Sequence, residues 1–169
     1  LYLVNRSGNR PSHEGAAEYF DKAIALCRRA GFGKIKLRGD TDFAQTAYLD
    51  DWDDQGDVRF VFGIDAMPNL YKKAEDLPET AWKRLRRRSR YEVKTTPRAR
   101  PTNVKEQVVK EREFTNIRLV KEYVAEFDYS PTLCKKTYRV VALWKDLEIH
   151  KGQRKLFDDS KGFFYISND

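Results

Sequence analysis

The sequence predicts an α/β fold, and three patterns support that prediction. Residues 34–38 and 58–64 alternate between apolar and other side chains, which is the period of half-buried strands. Apolar residues within 17–27 recur at helical spacing on one face. After residue 66, a β-rich stretch of about ninety residues precedes a last apolar run at 163–166, far beyond an ordinary loop. We therefore expect a strand–helix–strand core that is interrupted by a β-rich insertion.

The first helix is expected between two terminal signals. Ser12 can serve as the N-cap, and Gly31 can take the left-handed conformation that ends a helix. The strand at 34–38 follows after a short loop. Beyond it, Thr41 or Asp42 can cap a second helix.

A carboxylate directly follows the first strand. Gly39 breaks that strand, and Asp40 lies just beyond its carboxyl end. A carboxylate there is held on rigid backbone and faces a crevice, and a metal ligand needs both. The alternative is that Asp40 and Asp42 are turn and cap residues. Asp65 follows the strand at 58–64, where it can flank Asp40 or cap a helix that has Pro68 in its first turn.

The remaining elements follow from local patterns and turn residues. They are a helix at 69–76 that stops at Pro78, a strand at 91–95, an extended segment at 97–101, a charged helix at 104–112, antiparallel strands at 124–129 and 137–144, a turn at Gly152 and a buried strand at 163–166.

The charge of the chain is unevenly distributed. The net charge is +7, and residues 67–112 alone hold 14 Lys and Arg against 6 Asp and Glu. The densest part of this excess is the run at 83–90, which a solvated helix face can explain but for which we favour phosphate binding. The predicted nucleic-acid-binding residues are Lys83, Arg84, Arg86, Arg87, Arg88 and Arg90. Trp82 and Tyr91 flank the run and can either stack on bases or pack internally.

The other acids, the cysteines and the histidines are assigned no catalytic or metal-binding role. Four acids surround Trp52 without the Gly and terminal Glu of a calcium loop, so we expect a solvated helix end: Asp50, Asp51, Asp53 and Asp54. Cys27 and Cys134 lack metal-ligand spacing, which indicates a reduced, cytoplasmic setting. His13 and His150 have no partner pattern. No apolar run in the sequence reaches membrane-spanning length.

Five segments in a fixed order point to a family. They are Leu-Tyr-Leu-Val-Asn-Arg-Ser-Gly-Asn at 1–9, Leu-Arg-Gly-Asp-Thr-Asp-Phe at 37–43, Val-Arg-Phe-Val-Phe-Gly-Ile-Asp-Ala-Met-Pro-Asn-Leu at 58–70, Ala-Glu-Phe-Asp-Tyr at 125–129 and Phe-Phe-Tyr-Ile-Ser-Asn-Asp at 163–169. Together they resemble the group 1 DDE-domain transposases of bacterial insertion sequences. The resemblance covers essentially the whole chain.

The resemblance implies a ribonuclease-H-like catalytic core, incomplete here, with a β-rich insertion. In that family the aspartate of the Arg-Gly-Asp segment is the second acid of the DDE triad, which corresponds to Asp40. The first aspartate lies upstream of this sequence and the glutamate lies in a helix downstream, so we expect an internal fragment. The implied division is core at 1–66, basic β-rich insertion at 67–162 and a returning core strand at 163–169.

The resemblance also implies a reaction and its partners. DDE transposases cleave DNA and transfer strands by phosphoryl transfer with two Mg²⁺ or Mn²⁺ ions, for which carboxylate oxygens are suitable ligands. The implied partners are transposon-end and target DNA, bound by a homodimer in the bacterial cytoplasm. Two alternatives remain open: a non-catalytic DNA-binding module, such as a domesticated remnant, and a metal-dependent nuclease of the same fold.

Overall fold

The structure is a computed structural model that describes residues 7–11, 13–87, 103–152 and 154–169. The described part is mixed α/β, with four α-helices and six strands. In chain order they are α1 (Ala16–Arg29), β1 (Ile35–Gly39), α2 (Leu49–Asp54), β2 (Val58–Ile64), α3 (Pro68–Glu75), β3 (Lys83–Arg84), α4 (Val104–Glu111), β4 (Thr115–Tyr129), β5 (Tyr138–Lys151) and β6 (Arg154–Ser167). Within these ranges, no helix has the length and apolar character needed to cross a bilayer.

The strands form one mixed sheet in the order β1-β2-β6-β5-β4-β3. β1 runs parallel to β2, with Ile35 opposite Val58 and Gly39 opposite Phe62. β2 runs antiparallel to β6, where Phe62 lies opposite Ile166. The prediction that 34–38, 58–64 and 163–166 share one sheet is therefore confirmed.

The chain divides into two compact units. The first comprises the chain up to Leu77 together with Ala125–Ala142 and Phe163–Asp169, and the second comprises Pro78–Val124 and Leu143–Gly162. Strands β4, β5 and β6 contribute residues to both. The division of the sequence into core and insertion describes family organisation and stays a prediction.

Aromatic side chains fill the core of the first unit. The ring of Phe20, on α1, lies 5.4 Å from the ring of Trp52 and 5.6 Å from that of Phe62. Trp52 is 1% exposed, and its indole nitrogen donates a 2.9 Å hydrogen bond to Asp21. Edge-to-face pairs of this kind add about 0.5–1.5 kcal/mol each beyond the burial of their area. This cluster fixes α1 and α2 against β2.

The end of α1 agrees with its sequence signal. Gly31 has φ 88° and donates its N–H to the carbonyl oxygen of Arg28, as expected of a glycine that follows a helix. At the start of the helix, Gly15 occupies the N-cap position, and the predicted cap Ser12 lies outside the described residues.

The single helix predicted after Asp40 is wrong. The chain instead makes two short 3₁₀ turns, Thr41–Phe43 and Thr46–Tyr48, before the six residues of α2. Phe43 packs edge-on against Phe20, and the side-chain amide of Gln45 donates a 2.7 Å hydrogen bond to the carbonyl oxygen of His13. These long-range interactions hold the segment against α1 and replace a continuous helix.

The structure confirms several elements predicted after residue 103. The charged helix forms as α4, and its N-cap Asn103 accepts a 3.1 Å hydrogen bond from the Lys105 N–H. Gly152 makes the predicted turn with φ 57°. The two strands predicted at 124–129 and 137–144 form neighbours in the sheet and are longer than predicted. The strand predicted at 91–95 and the extended segment at 97–101 lie outside the described residues.

Candidate functional site

Asp40 and Asp65 follow the carboxyl ends of two neighbouring parallel strands. β1 ends at Gly39 and β2 ends at Ile64, so both aspartates lie at the same edge of the sheet. Ile35 and Leu37 bury one face of β1, and β2 is buried along most of its length. Because these strands belong to the core, the backbone that carries both carboxylates is well fixed.

Two glycines let the chain turn closely at this edge. A Cβ on Gly39 would lie 2.7 Å from the Phe43 Cβ and 3.0 Å from the ring of Phe62. A Cβ on Gly63 would lie 3.1 Å from the backbone nitrogen of Thr41. The first turn after β1 therefore lies directly over the end of β2, where a side chain at either glycine would disturb it.

The carboxylates of Asp40 and Asp65 are accessible. Both residues are exposed, and neither side chain makes a hydrogen bond or ion pair with any residue that the structure describes. Asp40 occupies the N-cap position of the first 3₁₀ turn, but it contributes only its carbonyl oxygen, which accepts a bond from the Phe43 N–H. The cap predicted at Thr41 or Asp42 is thus wrong. The Asp65 cap is wrong too, because Met67 occupies the N-cap of α3, with Pro68 in the first turn as predicted.

A pocket of about 340 Å³ lies beside these strand ends within the first unit. Thr41 and Asp65 line it together with Ile64 and Ile166 of the sheet. Leu133 also lines it and is 67% exposed.

The four acids around Trp52 are not simply a solvated helix end. Tyr138 donates a 2.5 Å hydrogen bond from its hydroxyl to Asp50, whose other oxygen accepts from the Lys135 N–H. Hydrogen bonding from Tyr138 holds the pKa of Asp50 below its ordinary value. Lys136 donates 2.6 Å hydrogen bonds to Asp53 and Asp54, and these bonds raise the pKa of the lysine. The prediction is therefore wrong for Asp50 and Asp53, whose partners come from the distant 130–138 segment, while Asp51 and Asp54 are exposed as predicted.

Asn168 connects this acidic helix to the sheet. Its amide nitrogen donates to Asp53 at 2.7 Å, and its amide oxygen accepts from the Phe60 N–H at 2.7 Å. Burial raises the pKa of Asp53, but the hydrogen bonds from Lys136 and Asn168 outweigh burial and leave that pKa below its ordinary value. Two of the four acids are therefore structural residues of the first unit.

The carboxylate oxygens of Asp40 and Asp65 at the strand ends are the type of ligand that a hard divalent cation prefers. Mg²⁺ and Mn²⁺ bind carboxylate oxygens and keep open positions for water and phosphate. In the described ranges, no group of three or more His, Cys, Asp or Glu side chains is placed to hold a metal ion. Asp40 can supply one carboxylate ligand, and Asp65 is the next carboxylate along the same edge.

The described part of the basic run begins with a two-residue edge strand and contains no helix. Lys83 and Arg84 make up β3 and pair antiparallel with Val124 and Tyr123 of β4. Lys83, Arg84 and Arg86 are exposed. Arg88 and Arg90, also predicted to bind nucleic acid, lie outside the described residues. Trp82 packs edge-on against Trp144, with ring centroids 6.0 Å apart, which is the packing interpretation of that residue.

Arg87 differs from the other described members of this run. Its guanidinium donates hydrogen bonds of 2.7 and 3.1 Å to the two carboxylate oxygens of Glu122. Glu122 is only 5% exposed, and the bond from Arg87 holds its pKa below its ordinary value. Neutralising a buried carboxylate is thus one role of Arg87, and its predicted contact with nucleic acid stays a prediction.

The cysteines and histidines occupy separate surroundings. The Cys134 thiol donates to the Thr46 carbonyl oxygen at 3.1 Å, and burial, with Asp50 nearby, raises its pKa to about 11. His150 is 6% exposed and lies 3.2 Å from Glu148.

Comparisons of the chain with protein-family models, curated proteins and solved structures found no match.

Proposed function

We propose that this chain is the central part of a DDE transposase with a ribonuclease-H-like core, and that Asp40 is one of its metal-binding catalytic acids. The observation that carries the proposal is the Asp40 carboxylate, which is exposed and unbonded among the described residues and follows a buried strand parallel to its neighbour. A purely structural aspartate at a strand end would be expected to bond to its own turn, and the Asp40 side chain makes no cap bond.

The strand order is compatible with such a core. β1 is the terminal strand of the sheet in the described ranges, so its outer edge can pair with a further strand. In the family that the chain resembles, the strand of the first catalytic aspartate lies beside the strand of the second. The missing acids would then come from sequence on either side of this chain.

The residues of this chain would have limited and defined tasks in the reaction. When bound, two divalent ions activate the attacking oxygen and stabilise the leaving oxygen of the phosphodiester. Asp40 contributes a negatively charged oxygen ligand. Gly39 and Gly63 allow the close turn that fixes Asp40, and exposed arginines of the basic run bind phosphates of the DNA backbone. We expect the complete protein to act as a homodimer on transposon-end and target DNA in the bacterial cytoplasm.

The test is Asp40→Asn in the complete protein. Asparagine is nearly isosteric but carries no charge, so DNA cleavage with Mg²⁺ should fall to background, while DNA affinity and thermal stability stay unchanged. Asp65→Asn is the matched control at the neighbouring strand end and should retain cleavage. An Asp40→Asn protein that still cuts transposon ends would refute the assignment.

A non-catalytic DNA-binding module is the second candidate. It is favoured by exposed cations in the described part of the basic run, among them Lys83, Arg84 and Arg86, which need no metal to bind phosphates. A complete protein that binds DNA and cleaves it with neither Mg²⁺ nor Mn²⁺ would support this candidate over the enzyme. A metal-dependent nuclease differs from both, since it would cleave DNA but not join the cut end to a target.

A further inference from the structure

One face of β1 carries a row of cations. Lys34, just before the strand, and Lys36 and Arg38 within it occupy alternate positions and so share a face, while Ile35 and Leu37 are buried on the other. All three cations are exposed. Lys34 and Arg38 have no ion-pair partner among the residues that the structure describes.

The neighbouring strand adds a fourth cation to the same face. Arg59 of β2 lies in register with Lys36, so the two side chains are direct cross-strand neighbours. Like charges in this arrangement repel each other. One guanidinium nitrogen of Arg59 donates to the carbonyl oxygens of Gly56 and Val58, both at 3.1 Å, and these neutral acceptors do not cancel its charge. We call Lys34, Lys36, Arg38 and Arg59 the β1 cation row.

Carboxylates nearby neutralise only part of this charge. Asp169 forms an ion pair with Lys36, and the pKa of Asp169 is lowered first by that bond and further by Arg59 and Arg139. Asp57 also lies close, but it accepts two hydrogen bonds from Arg28 and is neutralised there. The row therefore keeps a clear positive excess.

A concave surface lies at the start of the row. A groove of about 650 Å³ is lined by Lys34, Lys36 and Arg59, by two glycines, Gly33 and Gly56, and by the carboxylates of Asp57 and Asp169. A Cβ added at either glycine would meet no atom within 4 Å, so their backbone lies open to a ligand. Because Asp57 is paired with Arg28 and Asp169 with Lys36, Lys34 and Arg59 leave the groove with an excess of positive charge, which favours an anionic group such as phosphate.

We propose that the β1 cation row binds successive phosphates of a DNA strand that runs along β1 towards Asp40. This inference rests on the proposed function, which gives the direction of the DNA strand, because Arg38 lies two residues before the candidate catalytic acid Asp40. Alternate residues of a strand are about 6.6 Å apart, so the row presents evenly spaced charges to an extended polyanion. Phosphate contacts of this kind position DNA without reading its sequence.

The binding test uses the complete protein and a fluorescent DNA duplex. Lys34→Gln with Arg38→Gln should weaken binding about fivefold or more at moderate salt, and it should reduce the slope of log affinity against log salt by about 1–2. Lys72→Gln with Lys73→Gln is the matched control: it removes two exposed cations from α3, also in the first unit, and should leave both quantities unchanged. Lys34→Arg with Arg38→Lys keeps both positive charges, so this variant should bind DNA as tightly as the wild type.

The outcomes separate this inference from the proposed function. If the Gln pair binds DNA with wild-type affinity and slope, or loses no more than the α3 control, the β1 cation row is refuted whatever Asp40 does. In the complete protein, the same pair should raise the DNA concentration needed for half-maximal cleavage and leave the rate at saturating DNA unchanged. If Asp40→Asn still cleaves, the catalytic assignment fails while the binding measurement on the row stands on its own.

Discussion

A side-chain carbon on Gly39 would lie 2.7 Å from the Cβ of Phe43, closer than two carbons can pack without one of them moving. Gly39→Ala should therefore destabilise the protein by about 1–3 kcal/mol, the usual cost of overpacking, and shift the turn that carries Asp40. Gly33→Ala is the control, because its Cβ would meet no atom within 4 Å. Denaturant unfolding measures both, and equal stability of the two variants would contradict the close approach.

The hydrogen bond from Tyr138 to Asp50 should be visible in unfolding. Tyr138→Phe removes a bond to a charged acceptor and should cost about 1–2 kcal/mol at pH 7. Tyr48→Phe is the matched control, since Tyr48 is 42% exposed and its ring stacks on Trp52. Equal losses in both variants would argue against a specific role of the Tyr138 hydroxyl.

The same bond predicts a pH dependence. The pKa of Asp50 is depressed in the folded state, so its stabilisation is present above the unfolded value of about 3.9 and is lost as pH falls through the lower folded value. The stability difference between wild type and Tyr138→Phe should therefore shrink below about pH 4. A difference that stays constant down to pH 2 would show that the variant acts through packing alone.

Arg87 is expected to matter more for stability than for DNA binding. Arg87→Ala leaves the buried Glu122 without its two hydrogen bonds and should lower the free energy of unfolding by about 1–3 kcal/mol at pH 7. Because the pKa of Glu122 is also depressed, this loss should diminish as pH falls below the ordinary glutamate range. Glu122→Gln should make the Arg87 substitution milder, and a double-mutant cycle without coupling would contradict the pair.

Arg84 and Arg86 are expected to carry the salt-dependent DNA binding of the described basic run. Replacing both with Ala should reduce the log–log salt slope by about 1–2, because each neutralised phosphate contributes about 0.9. Lys105→Ala with Lys110→Ala removes two cations of α4 in the same unit and serves as the control. An unchanged slope in the Arg84 and Arg86 variant would identify the run as a solvated surface.

Local signals in the sequence were enough for much of the fold. The alternation in β1 and β2, the glycine after α1 and the proline in the first turn of α3 act over a few residues, so their effect survives in the folded chain. The position of Asp40 at the carboxyl end of β1 was predicted in the same way, because a strand, a break and a carboxylate follow each other directly, while its catalytic role stays a proposal.

Interactions between distant residues were not predictable. Asp50 and Asp53 were predicted to be solvated because their partners are distant in the sequence. Tyr138 lies 88 residues from Asp50, and Asn168 lies 115 residues from Asp53. The sequence does not distinguish Arg87 from the other arginines of the run, because its partner Glu122 lies on β4 and is buried only in the folded chain. The prediction of a helix after Asp40 was wrong for a similar reason, since the Gln45 side chain donates a hydrogen bond to a carbonyl oxygen 32 residues earlier. Spacing along a sequence does not report such partners.

The bond between Cys134 and Thr46 gives this protein an internal chemical reporter. A thiol with a pKa of about 11 holds almost no thiolate at neutral pH, so it reacts slowly with alkylating agents while the 130–138 segment stays docked. Opening of that segment would expose the thiol to water and speed its alkylation. The rate of Cys134 modification in a Cys27→Ser background would therefore measure how often the wall of the pocket beside Asp65 opens, without any substrate or assay of activity.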